Sequence, residues 1–258
     1  MKCHEIDYKI EGDDLQLVII ELDPGETVIA EGGSMMYLEE DIVYEAKLGD
    51  GSDINEGLAS KIFNVGKRLL TRESLFLTHF TNKGSTKRKV AFAGNYPGKI
   101  IPVNMATINN YLICQKDAFL CAAMGTKIDI EFTKKFGAGI FGGEGFILQK
   151  IIGDGMAFIH AGGHIIEKEL KNETLRVDTG CLVAFEPSLS YDIQAAGNLK
   201  TMVFGGEGIF LAQISGTGRV WLQSLPISRL MAKMMATLGS HKGEGSVIGG
   251  LSNIFEKL

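Results

Sequence analysis

The residues best suited to chemistry are two histidines and two glutamates near the middle of the chain, His160, His164, Glu167 and Glu169. Imidazole nitrogens and carboxylates are ligands for Zn, Fe and Mn ions, so this group raises the hypothesis of a metal-dependent, cupin-like enzyme. The spacing argues against it, because residues 160 and 164 of one strand stand about 13 Å apart. The His-x-His sequence typical of cupins is also absent. Two histidines that hydrogen-bond at a turn are the simpler interpretation, and we expect no metal and no other cofactor.

A second candidate is a set of glutamates at corresponding positions of three similar stretches, Glu73, Glu144 and Glu207. If a pseudo-threefold axis relates these stretches, the carboxylates could converge on it, where they would raise one another's pKa or bind a cation. The alternative is that each carboxylate lies at a solvated turn. The sequence lacks the lysine of a phosphate-binding loop and the G-x-S-x-G of a serine hydrolase. We therefore expect a protein without catalytic activity.

Two of these glutamates belong to a segment that occurs twice. Residues 142–155 and 205–218 align at an offset of 63 residues, with eight of fourteen positions identical. Similarity at a fixed spacing indicates a duplicated structural unit. The apolar runs are typical of buried strands, and the glycine pairs at 153–155 and 216–218 predict hairpin turns. A lone hairpin cannot bury its apolar face, so we expect the copies to pack together.

Similar runs along the rest of the chain predict an all-β fold of three tandem antiparallel β repeats related by a pseudo-threefold axis. The predicted units cover about residues 8–70, 71–133 and 142–204, and a closing hairpin follows at 205–222. Together they form a repeated β domain over residues 1–224.

Local signals add detail to this plan. Gly12 and the two aspartates after it predict a hairpin, and the Pro-Gly pair in Asp23–Glu26 predicts a β-turn. Apolar residues at helical spacing over 54–70 indicate a short helix or a glycine-broken connector.

Residues 225–258 are predicted to form an amphipathic helix and a flexible tail. The helix begins after a Ser224 N-cap and stops at Gly239. Its apolar face is expected to pack on the β core or on a neighbouring subunit, and the alternative is a methionine-rich surface that docks a partner or touches a membrane. The sequence leaves the role of the tail after Gly239 open. The residues of the face are Ile227, Leu230, Met231, Met234, Met235 and Leu238.

Composition limits the function classes. The net charge of −5 disfavours a broad nucleic-acid-binding surface. The N-terminus has no apolar signal region, and no apolar run reaches the length of about 18 residues that a membrane span needs. The four cysteines form no C-x-x-C pair, and Cys114, Cys121 and Cys181 lie in apolar runs, which is typical of a reducing compartment. We expect a cytoplasmic protein.

Several blocks of the sequence resemble, in order, the family named after altered inheritance of mitochondria protein 24. The resemblance spans about residues 5–230. It implies an all-β fold similar to the trp RNA-binding attenuation protein, related to double-stranded β-helices, and a chain that tends to form a trimer. It supplies no catalytic residue, and RNA or tryptophan binding does not follow from a shared fold. The blocks are Asp23–Glu26, Phe141–Ile151, Ala157–Gly163, Leu175–Pro187 and Trp221–Pro226.

Bacterial members of that family have no known biochemical role, and a fungal member is associated with the organisation of the mitochondrial inner membrane. The expected function is a non-catalytic homo-oligomeric scaffold, with a trimer favoured, that binds a protein partner or a small ligand. A metal-dependent cupin-like enzyme and a peripheral membrane-associated organising protein are the alternatives.

Overall fold

The computed structural model describes residues 2–48, 76–134, 146–195 and 210–239, and its regular structure is almost entirely β-strand. This confirms the predicted all-β class; the connector predicted over 54–70 lies outside the described residues. The strands are β1 (Asp7–Glu11), β2 (Leu17–Leu22), β3 (Thr27–Glu31), β4 (Met35–Leu38), β5 (Ile42–Leu48), β6 (Phe76–Asn82), β7 (Arg88–Ala93), β8 (Gly98–Asn104), β9 (Tyr111–Gln115), β10 (Phe119–Ala123), β11 (Lys127–Lys134), β12 (Phe146–Ile152), β13 (Met156–Gly162), β14 (Ile165–Asp178), β15 (Leu182–Phe185), β16 (Ser190–Ala195) and β17 (Phe210–Gln223).

The strands form three antiparallel sheets. The first has the order β1-β2-β7-β4, the second β5-β6-β3-β10-β13-β8, and the third β11-β12-β9-β15-β17-β14, with β16 paired to β17. In β2 the apolar residues Val18, Ile20 and Leu22 are fully buried and alternate with partly exposed neighbours, so one face of that strand meets the core. Strand β3 is buried on both faces from Thr27 to Ala30, as expected of a strand between packed layers.

Three apolar clusters hold the sheets together. One contains Ile20 of the first sheet and Phe158 of the second. Another joins Ile29 of the second sheet to Trp221 of the third, and a last one covers the opposite side of the third sheet around Leu148 and Phe185. The second sheet therefore contributes to two clusters, one on each of its faces. This explains why β3 is buried on both faces.

Two local predictions are confirmed. Strands β1 and β2 pair antiparallel from Asp7 opposite Glu21 to Glu11 opposite Leu17, and Gly12 between them has a φ of +90°. The Asp23–Glu26 turn is closed by the Glu26 amide donating to the Asp23 carbonyl at 2.9 Å. Gly25 in that turn has a φ of +87°, which glycine adopts without steric cost.

The hairpins predicted at the glycine pairs are wrong in both copies. Strand β12 pairs with β11 and β9, whereas β13 pairs with β8 and β10, so residues 153–155 carry the chain from one sheet to another. In the second copy β17 continues through Gly216 and Gly218 without turning, opposite a bulge between Lys171 and Glu173 of β14. Gly216 has a φ of +127°, so glycine here permits a distorted strand instead of a turn, which is why the sequence pattern misled.

One pairing pattern occurs in three places. Each instance is an antiparallel pair with a one-residue bulge: β4 with β7 between Met35 and Tyr37, β10 with β13 between Phe119 and Cys121, and β15 with β17 between Leu182 and Ala184. The first of these pairs crosses the unit boundary expected at residues 70/71, because β7 pairs back onto β2 and β4. The repeat itself remains a prediction.

The C-terminal helix, α1, covers Ile227–Gly239. It begins one residue after Pro226, whose carbonyl accepts from the Arg229 and Leu230 amides. The expected N-cap, Ser224, instead accepts a hydrogen bond from the His164 amide at 2.8 Å. Within the described residues, no helix is both long and apolar enough to cross a membrane.

Candidate functional site

The structure separates the two histidines of the predicted metal group. His160 in β13 is buried, whereas His164 at the following turn is exposed. The ring of Tyr96 meets the His160 imidazole edge-on, with centroids 4.5 Å apart. Burial lowers the pKa of His160, and a hydrogen bond to the Tyr96 backbone opposes this effect. His160 is therefore a neutral, packed histidine.

The two glutamates of that group also have other partners. Glu167 Oε2 accepts a hydrogen bond from Trp221 Nε1 at 2.9 Å, and Glu169 forms an exposed ion pair with Lys171 at 3.4 Å. Across the described ranges, no group of three or more His, Cys, Asp or Glu side chains is arranged to hold a metal ion. The four residues thus do not form the cupin-like site. Glu73, Glu144 and Glu207 lie outside the described residues, so their convergence stays a prediction.

Sequence reasoning missed a partly buried acidic residue, Glu31, whose charge reaches Tyr96. The pKa of Glu31 is raised to about 7, chiefly by burial and also by the charge of Asp117, against a smaller lowering by the charge of Lys116. The same two carboxyls, together with burial, raise the pKa of Tyr96 to about 12. Glu31 ends β3 and Asp117 lies in the 3-10 turn Lys116–Ala118. These residues are far apart in sequence, and no motif connects them.

This polar cluster can hold or release a proton near neutral pH, but a nucleophile suited to it is lacking nearby. The Cys114 thiol, which is influenced by the charge of Glu31, is buried; burial and that charge together raise its pKa to about 12. A thiol that keeps its proton is a poor nucleophile. Cys121 is also buried, whereas Cys181 is partly exposed, so two of the three cysteines in apolar runs are buried as expected.

A cleft of about 480 Å³ lies beside the N-terminal segment. Four of the five carboxylates that line it have partners: Asp154 accepts from the Cys3 amide at 2.7 Å, and Glu26 accepts from the Asp23 amide at 2.8 Å. Lys87 forms ion pairs with Asp7 at 3.2 Å and with Asp23 at 3.5 Å. The cleft is thus an internally paired polar surface, and it does not single out a ligand.

The most unusual surface is formed by the consecutive strands β4 and β5, each of which is the last strand of its sheet. Their exposed side chains include large apolar groups, and the charges that commonly protect a free edge are represented on β5 by the Lys47–Glu45 ion pair at 3.3 Å. Tyr44 is 62% exposed and Met36 is 59% exposed. We name this surface the apolar edge strip; its residues are Met35, Met36, Tyr37, Val43 and Tyr44.

The sequence of the chain matches, over residues 8–225, the family described as mitochondrial biogenesis AIM24. It is also 29% identical over 215 residues to an uncharacterized protein of Streptococcus pyogenes serotype M6, a match that covers 83% of each chain. A crystal structure of a Streptococcus pyogenes protein, determined by a structural genomics consortium, is similar with a TM-score of 0.72 and 23% identity. That match covers 90% of this chain and all of the other, and it supports the same fold.

Proposed function

Since the chain belongs to the mitochondrial biogenesis AIM24 family, we propose that it acts as a non-catalytic oligomeric β scaffold that binds a protein partner. The single observation that carries this proposal is the apolar edge strip. Large apolar groups on neighbouring exposed strands mark interaction surfaces in soluble proteins. Free strand edges add hydrogen-bonding groups that a partner strand can use.

The arrangement of the polar residues supports a binding role over catalysis. His160 is packed against Tyr96, and His164 is exposed at a separate turn. The ionisable groups that do meet, around Glu31, lie beside a protonated thiol. Because nucleophilic catalysis needs a nucleophile within reach of such a proton-accepting group, a carboxyl cluster beside a protonated thiol supports a scaffold over a nucleophilic enzyme.

Light scattering coupled to size-exclusion chromatography tests the assembly. At micromolar concentration we expect the full chain to elute as a stable oligomer, and a monomer would contradict the proposal. Hydrogen exchange then tests the role of the edge strip. We expect the amides of β4 and β5 to exchange more slowly in the assembled protein than after dilution to the monomer, whereas the β1–β2 loop serves as a control whose exchange stays unchanged.

A second candidate, peripheral membrane association, is favoured by the helix α1. Met231 is 46% exposed and Met234 is 54% exposed, so part of the predicted apolar face stays uncovered in the single chain. Apolar groups on an amphipathic helix can enter the headgroup region of a bilayer. Vesicles of phosphatidylcholine and phosphatidylglycerol should sediment the protein, and replacing both methionines with lysine should reduce the sedimented fraction. Equal sedimentation of the two forms would exclude α1 as the contact.

A further inference from the structure

The three strands β4, β10 and β15, each of which begins a bulged pair, differ in whether a second strand lies beside them. Strand β10 pairs with β13 on one side and with β3 on the other. Strand β15 likewise pairs with β17 and with β9. Among the described residues, β4 pairs only with β7, so one edge of β4 lacks the neighbour that its two counterparts have.

A second free edge, complementary to that of β4, lies on β14. Strand β3 lies between β6 and β10, and β9 lies between β12 and β15. Their counterpart is the second half of β14, where Thr174 to Asp178 pair with Ser215 to Leu211 of β17. In the described part of the chain this half of β14 has no second strand beside it. The described residues therefore carry one free edge of each kind.

The existing pairs fix how the two free edges would meet. Counted from the bulge, Tyr37 of β4 occupies the same position as Cys121 of β10 and Ala184 of β15. Cys121 lies opposite Ala30 of β3, and Ala184 lies opposite Cys114 of β9. The β12–β9 pair and the β17–β14 pair align at the 63-residue offset of the duplicated segment. In this alignment Val177 of β14 corresponds to Cys114 of β9. Tyr37 would then lie opposite Val177.

We propose that the β4 edge of one copy of this chain adds antiparallel to the Thr174–Asp178 edge of β14 in a second copy, with Tyr37 opposite Val177 and Leu38 opposite Arg176. The contact would complete a third ladder, in which β16, β17, β14, β4, β7 and β2 follow the strand order of the two ladders within each chain and β1 lies beyond β2. This inference rests on the oligomeric part of the proposed function. Because each copy has one edge of each kind, the contact is head-to-tail, and it closes a ring or continues as a chain of copies.

The side chains at the two edges suit this contact. Tyr37 is 39% exposed in the single chain and would be covered by the new neighbour. Arg176 is exposed and would lie next to Glu40 and near Glu39, whose carboxylate accepts a hydrogen bond from the Lys89 amide of β7 at 2.8 Å. Opposite charges on neighbouring strands stabilise a pair, and like charges destabilise it.

Charge reversal tests the interface. Arg176→Glu places a third carboxylate beside Glu39 and Glu40, so we expect the dissociation constant of the assembly to rise by about tenfold or more. Lys168→Glu is the matched control, because it reverses the same charge on the exposed part of β14 outside the contact, and it should leave the assembly unchanged. On β4, Tyr37→Lys should also weaken assembly, whereas Ile166→Lys, at an exposed position on the half of β14 outside the contact, should not. Light scattering over a dilution series measures these constants, and circular dichroism checks folding.

Cross-linking gives an independent measurement. Two chains, one with Tyr37→Cys and the other with Val177→Cys, both in a Cys181→Ser background, are mixed and oxidised. Residues directly opposite in antiparallel strands lie about 5 Å apart at Cα, within disulfide range, so we expect a covalent heterodimer. Tyr44→Cys replaces Tyr37→Cys in the control mixture.

The outcomes separate the two proposals. A monomeric parent protein would overturn both the scaffold and this contact. An oligomer that Arg176→Glu and Tyr37→Lys leave intact, and that yields no heterodimer, would overturn the contact alone. A double variant with both cysteines that cross-links only within single chains would place the two edges together in one molecule and also overturn the proposal.

Discussion

The ring of Tyr96 lies edge-on against the imidazole of His160, with ring centroids 4.5 Å apart. The close packing around His160 explains why residues 94 and 98 are glycines. A Cβ at Gly94 would lie 2.3 Å from atoms of the His160 ring, and a Cβ at Gly98 would lie 2.1 Å from the Ala161 carbonyl oxygen. His160 is thus held in a tight pocket between β8 and the end of β7.

Gly94→Ala should destabilise the fold because the new methyl group overlaps the His160 ring. Overpacking of this kind costs roughly 1–3 kcal/mol. Urea unfolding followed by tryptophan fluorescence measures the loss. Gly32→Ala is the matched control, since nothing lies within 4 Å of a Cβ there; equal stabilities of the two variants would show that the His160 pocket is not tight.

Glu31→Gln should raise stability at pH 8 and change it little at pH 4. The folded-state pKa of Glu31, about 7, is above its ordinary value of 4.5. The folded state therefore binds more protons than the unfolded state between these values, and stability falls as pH rises through that window. The expected gain at pH 8 is on the order of 2 kcal/mol.

Unfolding free energies measured from pH 4 to pH 8 test this effect. The charged and titratable groups around Glu31 are Lys116, Asp117 and Tyr96, and they are unchanged in the variant. Glu173→Gln, at an exposed position on β14, serves as control. Parallel pH profiles for the parent and the Glu31→Gln variant would refute an elevated pKa.

Glu167→Ala should reduce stability by about 1 kcal/mol, because it removes the acceptor of the Trp221 indole proton. The indole ring is nearly buried, and Trp221 is the only tryptophan in the sequence, so its emission reports directly on this site. Glu169→Ala removes only an exposed ion pair and should change stability by less than about 0.5 kcal/mol. An unshifted emission maximum in Glu167→Ala would contradict the hydrogen bond.

His164→Ala should leave both stability and metal content unchanged. His164 is exposed, and His160 is engaged with Tyr96, so the two do not share a ligand position. Elemental analysis of untagged protein after incubation with Zn²⁺ tests this expectation. Stoichiometric zinc in the parent that disappears in the variant would restore the metal-enzyme hypothesis.

The sequence alone determined the features that depend on near neighbours in the chain. The β1–β2 hairpin at Gly12, the Asp23–Glu26 turn and the helix at Ile227–Gly239 all follow from local preferences of glycine, proline and periodic apolar residues. The strand positions follow from alternation and from apolar runs between glycines. These signals were sufficient for the all-β class.

Only the tertiary structure decided which strands pair and which polar groups meet. Gly153 and Gly155 carry the chain between sheets, whereas Gly216 and Gly218 sit within one strand, because glycine permits either path and distant strands select between them. Glu31, Tyr96 and His160 come from separate strands and loops, so no spacing in the sequence links them. The free edge of β4 is likewise a property of the whole sheet, since hydrogen bonds between strands join residues far apart in the chain.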